Sequence, residues 1–405
     1  MKPTDRSDAA SRPLPLAGIR VLDLSRLLPG PLCAQHLADL GAYVIKIEDP
    51  KVGDYVRPAV RTLANRGKDA LALDLKAAEG REIFLRLLDD ADVVLESFRP
   101  GVMERLGLGY DVLSARRPAI VHCAITGYGQ HGPRQAAAGH DINYLAVTGV
   151  LDQTGSAEGP PVIPGFLISD ILGGTLTAAM GILAALMGAR ATGKGRYVDV
   201  SMADAVMAHC VLPLAEFNES RAVHARGRGT HTGGVPRYNL YAASDGRYLA
   251  VGAQERKFWD ALCDALGLAH LKPLHQATGM EADQVKRELR EAFARRSAAE
   301  WIAVLGPLDC CVSQVLSVEE ALSDAGFVER GTIRHRGDGT ASTFGFPLLM
   351  SDFACPADRP SPAHGEHSEA ILSRLGYARS EIDVLRTRGI IGINHQRRRP
   401  WHDGK

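Results

Sequence analysis

The chain has 405 residues, 45% of them hydrophobic and 23% charged, which is enough to bury a sizeable core and to divide into two domains. Its 47 basic residues equal its 47 acidic ones, so no global charge recruits nucleic acid or an anionic membrane, and any anionic ligand must meet a local basic patch. Seven cysteines with no CxxC pair argue against a disulfide framework and read as a reduced, cytoplasmic protein.

Residues 1–17, MKPTDRSDAASRPLPLA, carry no apolar run and read as a disordered lead-in rather than a signal peptide. From residue 18 strands and helices alternate. IRVLDLS (19–25) is a strand, PGPLCAQHLADLG a helix ending at Gly41, and AYVIKIE (42–48) the next strand. ALALDL (70–75), a helix over 77–90, DVVLESF (92–98), short helices to about 116 and AIVHCAITG (119–127) continue the pattern. Such alternation implies a parallel sheet covered on both faces, with ligands bound at the carboxyl ends of its strands. Residues 171–189, ILGGTLTAAMGILAALMGA, run uncharged for the length of a membrane span, but the small residues and the missing aromatic flanks favour a helix buried in an α/β core. RYVDVSM (196–202) then opens a helix to about 220.

The glycine- and arginine-rich RGRGTHTGG (226–234) marks a domain boundary. After it, YNLYAASDGRYLAVGA (238–253) is a hairpin turning at Asp245-Gly246, followed by helices near 255–266, 283–296 and 298–305. CCVSQVLS (310–317) is a strand that, with the helix after it, returns toward the first domain, and 366–388 is helical. The partition expected is a large domain over 18–225 and 310–390, a small one over 226–309, and a basic tail over 391–405.

Dinucleotide, Walker, GxSxG and HExxH signatures are all absent. HGEHSE (364–369) suits helix capping and the surface better than a metal. AGHDINYLAVTG (138–149) crowds four polar side chains at the start of an apolar stretch. His140 there is either a satisfied structural group or an acid/base residue, Asp141 suits an N-cap for the helix that follows, and Tyr144 falls on the helix face of His140. Asp170 is either an N-cap or a carboxylate held at a helix N-terminus, beside Gly173 and Gly174, which would let a ligand approach closely. Glu255 reads by itself as a first-turn helix acid.

These segments together resemble the family III CoA-transferases (the CaiB/BaiF group), and most of all the α-methylacyl-CoA racemase branch, over about residues 15–390. LAGIRVLDLSRLLPGPLCAQHLADLGAYVIKIE, LESFRPGVMERLGLGY, GYGQHGP, TGKGRYVDVSMAD, ASDGRYLAVGAQERKFW and HGEHSEAILSRLGY carry the resemblance, and GHDINY marks the racemase branch. It implies a Rossmann-like large domain with a parallel sheet, a smaller α+β domain, and an interlocked homodimer. The implied reaction is epimerisation of the α-carbon of a 2-methylacyl-CoA, an acyl-CoA thioester of lipid metabolism. His140 and Asp170 would be the acid/base pair and Glu255 the residue that orients the histidine. In the transferase branch the residue at Asp170 is instead a nucleophile forming an aspartyl-CoA anhydride. Coenzyme A is part of the substrate, with no separate cofactor and no metal. Its contacts would fall on Arg99, Arg105, Lys76 and Leu73, and, because Asp49 stands where relatives often carry arginine, on Lys46 or else on Lys51 and Arg57 downstream. GTHTGGVPRY replaces the relatives' usual NMLDGGAPFY, so Thr232 and Arg237 are expected to reshape the acyl pocket.

Overall fold

A computed structural model describes residues 14–335, 342–353, 355 and 359–392. In chain order the strands are β1 (Arg20–Asp23), β2 (Tyr43–Glu48), β3 (Asp69–Leu73), β4 (Val93–Glu96), β5 (Val121–Thr126), β6 (Tyr197–Ser201), β7 (Tyr238–Ala242), β8 (Tyr248–Gly252), β9 (Val312–Gln314), β10 (Ile333–His335), β11 (Ser342–Phe344) and β12 (Ile391–Gly392). Seven of them form a mixed α/β sheet in the order β12-β3-β2-β1-β4-β5-β6. All of its pairings are parallel except β12 against β3.

The strands of this sheet are short apolar runs because both faces are covered. Val21, Val44, Val93, Leu95, Val121, Cys123 and Ile125 face helices Pro29–Asp39 and Thr177–Thr192. The alternate residues Leu22, Ile45, Ile47, Leu71 and Val94 face helix Ala78–Leu88 and the C-terminal helices Ser368–Arg374 and Arg379–Thr387. One C-terminal helix is pinned to β3 by the Ser368 hydroxyl and His367 Nδ1, which accept the Ala72 and Ala70 amides at 3.2 and 3.1 Å. The HGEHSE segment therefore bonds to the sheet itself rather than only capping a surface helix.

Two compact units emerge, residues 14–145, 166–209 and 329–392 in the first and 146–165 and 210–328 in the second. Within the second, β7, β8 and β9 form an antiparallel sheet whose Tyr241, Leu249 and Val251 pack on Trp259, Leu262, Val285, Leu289, Phe293 and Trp301. The hairpin turns at Asp245-Gly246 with Gly246 at φ +77°, the left-handed conformation that glycine adopts freely.

Several local expectations need correcting. The strand near 310–317 is only β9, and it pairs with β8 in the second unit, so it stays with the small sheet. The helix expected to run to about 220 breaks into Met202–Ala208 and Val211–Ser220. The expected lead-in is ordered from Leu14, with Leu16 buried and its amide bonded to Leu40 O at 2.9 Å. Residues 1–13 of that lead-in, and 393–405 of the basic tail, lie outside the described residues.

The apolar stretch at 171–189 opens as a π-helical turn, Ser169–Leu176, and continues as the α-helix Thr177–Thr192. Ala178, Ile182, Ala185, Leu186 and Ala189 of that helix are buried on the sheet. Together the two segments are long and apolar enough to cross a membrane by composition, and this packing is what holds their buried face. A Cβ on Gly173 would stand 2.5 Å from the Met202 carbonyl, and one on Gly174 2.6 Å from the Pro29 side chain. The two glycines thus let the π turn press on its neighbours, and their open side is filled by protein rather than by a ligand. Gly173→Ala is expected to destabilise the protein by about 1–3 kcal/mol through this overpacking, measured by urea unfolding, whereas an unchanged midpoint would remove the close-approach argument.

Candidate active site

Strand order reverses between β1 and β4, which is where an open α/β sheet leaves a crevice at its carboxyl edge. Loops leaving β1, β4 and β5 meet residues 135–144, Asp170 and Met202 around a cavity of about 490 Å³. The β1 loop is pinned from below. Lys68, fully buried, donates to Asp23 Oδ2 at 2.8 Å, Asn65 Oδ1 at 2.8 Å and Pro31 O at 2.7 Å, and Asp23 accepts the Ser25 amide at 3.0 Å. The Arg26 amide donates to Ser97 Oγ at 2.9 Å, which ties the β1 and β4 loops together.

The polar cluster of AGHDINYLAVTG resolves into separate duties at the start of helix Asp141–Val147. The His140 amide donates to Asn143 Oδ1 at 3.0 Å, half of a capping box, and its carbonyl accepts the Asn143 amide at 2.8 Å. Tyr144 Oη donates to Gly139 O at 2.6 Å, and its ring packs edge-on against Tyr128 with centroids 5.1 Å apart. The backbone on both sides of His140 is held, and the residue, itself exposed, lines the cavity.

Asp141 does something the sequence does not suggest. Its buried carboxylate accepts the backbone amide of Asp170, 29 residues on, at 3.0 Å, so it ties down the π turn that carries Asp170. A charged acceptor makes such a bond worth about 1.5–3 kcal/mol. The Asp170 amide is therefore already committed and is not free to meet a developing oxyanion. Burial, reinforced by the neighbouring Asp141 charge and opposed by His140, pushes the Asp170 carboxyl up from the ordinary 3.8 to about 6. Burial and the nearby Asp170 carboxyl likewise push the Tyr144 phenol up to about 12.

The other sequence candidates are scattered. Arg99, exposed, lines this cavity and a second one of about 800 Å³ that it shares with Arg105. Lys76 is exposed in the turn after β3, its amide bonded to Asp74 Oδ1 at 2.9 Å. Leu73 is 1% exposed within the core, so it offers a ligand no side-chain surface. Lys46 is fully buried and donates to Asp54 at 3.3 Å and to the Ser25 carbonyl, so its charge is already satisfied inside the protein. In the second unit Glu255 is exposed at the N-cap position of helix Arg256–Ala265, where its side chain makes no capping bond. Arg237 there is buried, donating to Gln254 Oε1 at 3.0 Å and His275 O at 2.8 Å, and Thr232 closes its own turn on Gly229 O at 3.2 Å, so both serve local structure. Sequence reasoning missed Arg26 and Thr126. Thr126 borders the cavity, but its hydroxyl is closed off from it and has no hydrogen-bond partner among the described residues.

Comparison with known proteins adds the following. The family described as CoA-transferase family III matches residues 16–368. The chain is 37% identical over 381 residues to the Homo sapiens protein named alpha-methylacyl-CoA racemase, covering 94% of this chain and 98% of that one. It is 32% identical over 397 residues to the Mus musculus succinyl-CoA:glutarate CoA-transferase, covering 93% and 90%. A solved CaiB/BaiF family protein from Brucella suis matches it with a TM-score of 0.80 at 29% identity, over 90% of this chain and all of that one.

Because folding raises the Asp170 pKa, the native state holds this proton more tightly than the unfolded chain. Its contribution to stability is therefore present at low pH and falls as pH rises from 3.8 to about 6. Carboxyl-carbon NMR of Asp170 is expected to titrate near 6, and Asp141→Asn, which keeps the amide acceptor but removes the charge, is expected to move that midpoint down. An ordinary midpoint in both proteins would show that neither burial nor Asp141 acts on the group.

Proposed function

The chain belongs to CoA-transferase family III, and we propose that within this family it epimerises the α-carbon of a 2-methylacyl-CoA thioester by two-base proton transfer between His140 and Asp170. The observation that carries the reading is that His140 and Asp170 face one cavity, with the turn of Asp170 bonded to the residue next to His140. Inversion needs one group to remove the α-proton from one face while another delivers a proton to the opposite face. In one direction neutral His140 takes the proton, the electron pair moves into the thioester as an enolate, and protonated Asp170 reprotonates the carbon. In the other direction the roles exchange. A carboxyl titrating near 6 can serve as acid or base close to neutral pH, where general catalysis is most effective.

The substrate is an acyl-CoA, and Arg99 and Arg105 are assigned to its phosphates because both are exposed cations near the cavity mouths. Glu255 is assigned to orient the imidazole from the second unit, and an interlocked homodimer is the assembly in which that unit serves the site. Met180 and Met187 on helix Thr177–Thr192 support this assembly, as do Val211, Leu212, Leu214 and Phe217 on helix Val211–Ser220, since all are large apolar side chains left exposed by a single chain.

His140→Ala is expected to lower α-proton exchange of one substrate epimer in deuterated water by about 10²–10⁴-fold, and Asp170→Asn that of the other epimer, with CoA affinity unchanged. Equal loss on both epimers, or none, would rule out the two-base assignment.

A further inference from the structure

Glu96 closes β4 and has no part in the proton transfer described above, although the loop it precedes carries Ser97, Phe98 and Arg99 to the wall of the cavity that holds His140 and Asp170. The residue is buried. Its Oε2 accepts the Phe98 amide at 2.6 Å, a bond that fixes the start of the loop. Two more ties hold the same segment: Ser97 Oγ accepts the Arg26 amide at 2.9 Å, and the Phe98 ring stands 5.2 Å from the Arg26 guanidinium, which the Tyr55 ring meets at 5.4 Å.

The surroundings of Glu96 oppose a negative charge. From β5, His122 Nε2 lies 4.0 Å from Glu96 Oε1, too far for a hydrogen bond, and burial holds this imidazole down to about 4, so at neutral pH it offers no positive charge. Neither of its ring nitrogens has a partner among the described residues, and the rings of Tyr110 and Tyr197 flank it at 6.2 and 5.0 Å. Cys123, on the same strand, is a buried thiol that Glu96 helps to keep protonated. The charges that act on Glu96, Glu104 on helix Val102–Arg105 and Asp199 on β6, are both negative, and among the described residues no lysine or arginine pairs with it. Burial above all, opposed by the Phe98 amide and reinforced by those two carboxylates, pushes the Glu96 carboxyl up from 4.5 to about 8.

A glutamine at this place would accept the Phe98 amide as well as a protonated glutamate does. What the glutamate adds is a proton that can leave. While it is present the carboxyl is neutral and tolerates burial. Once it leaves, the carboxylate faces Glu104 and Asp199 without a counter-charge, the Phe98 amide alone does not replace its lost hydration, and water draws it out of the site. The loop then loses the bond that fixes its start. We propose that Glu96 is a positioning residue whose protonated carboxyl sets the loop that receives the coenzyme end of the substrate, so that loss of this proton at alkaline pH loosens the loop and weakens acyl-CoA binding. The inference rests on the reading that places Arg99 of this loop on the CoA phosphates.

Binding calorimetry with acetyl-CoA from about pH 7 to about pH 9 tests it, a range in which Asp170, titrating near 6, and the ligand's phosphate, whose last proton leaves at about 6, are both ionised. A group that must be protonated to bind and titrates near 8 in the free protein costs about 10-fold in affinity over this range, and that is the loss expected of the wild type. At about pH 8 the wild type is also expected to take up as much as about half a proton per ligand bound, read from the dependence of the heat on the ionisation of the buffer. Glu96→Gln, which keeps an acceptor for Phe98 but cannot titrate, is expected to change by less than about 2-fold over the range and to take up no proton. A wild-type affinity that stays flat, or a glutamine variant that keeps the wild-type slope, would overturn the inference. Arg99→Ala, run alongside at about pH 7, is expected to weaken binding about 10-fold. No effect of that substitution would reject the place of Arg99 on the phosphates, while the wild-type and Glu96→Gln profiles still decide the role of Glu96.

Discussion

The hydrogen bond from the Asp170 amide to the Asp141 carboxylate is the constraint on which the rest of the site depends. His140 sits at the head of one short helix and Asp170 in a π-helical turn that starts from a different part of the chain. Contacts distant in sequence must set their separation. Asp141 supplies one, and because it is itself a charge beside Asp170, the same side chain that places the carboxyl also helps to raise its pKa. A single residue thus couples geometry to acidity, which is economical in a cavity that must flank one carbon atom with two proton carriers.

The sheet provides the frame for this bond. Its order turns at β1 and β4, and the loops leaving those strands would splay without internal ties. Asp23 and Lys68, buried together, take up the polar groups at the end of β1, and each remaining donor of the lysine has an acceptor. Charges removed from water are tolerated under these conditions, where partners and additional hydrogen bonds replace hydration. The π turn is pressed against helix Met202–Ala208 through Gly173, so the segment bearing Asp170 is fixed from its packed side as well as from Asp141. The apolar helix that continues from it anchors the turn on the sheet.

Much of this was legible in the sequence. Alternating apolar runs gave away β1 to β5 and their helices because strands covered on both faces carry little else, and Asp245-Gly246 marked its hairpin through the backbone geometry that turn requires. His140 and Asp170 stood out as polar groups at the edges of apolar segments. Partners distant in sequence were not legible. Asp141 looked like a cap for its own helix because local capping is the common use of such a residue, and nothing in its neighbourhood points 29 positions ahead. Gly173 and Gly174 suggested room for a ligand, since a glycine next to protein and a glycine next to substrate are written with the same letter. The family resemblance assigns Leu73 and Lys46 to CoA, but the pleat turns both side chains inward. Arg26 was passed over because its meaning lies in Tyr55 and Phe98, which reach it only in the folded chain.

The central claim is that the Asp141-tethered carboxyl of Asp170 moves a proton and does not carry an acyl group. The most direct measurement incubates the wild-type protein with one epimer of a 2-methylacyl-CoA in deuterated water, with no acceptor acid, and follows the α-position by proton NMR and the protein by mass. The account predicts loss of the α-proton signal together with appearance of the opposite epimer, and a protein of unchanged mass. An α-proton that stays in place, with a hydroxylamine-sensitive mass gain on the peptide containing Asp170, would contradict it.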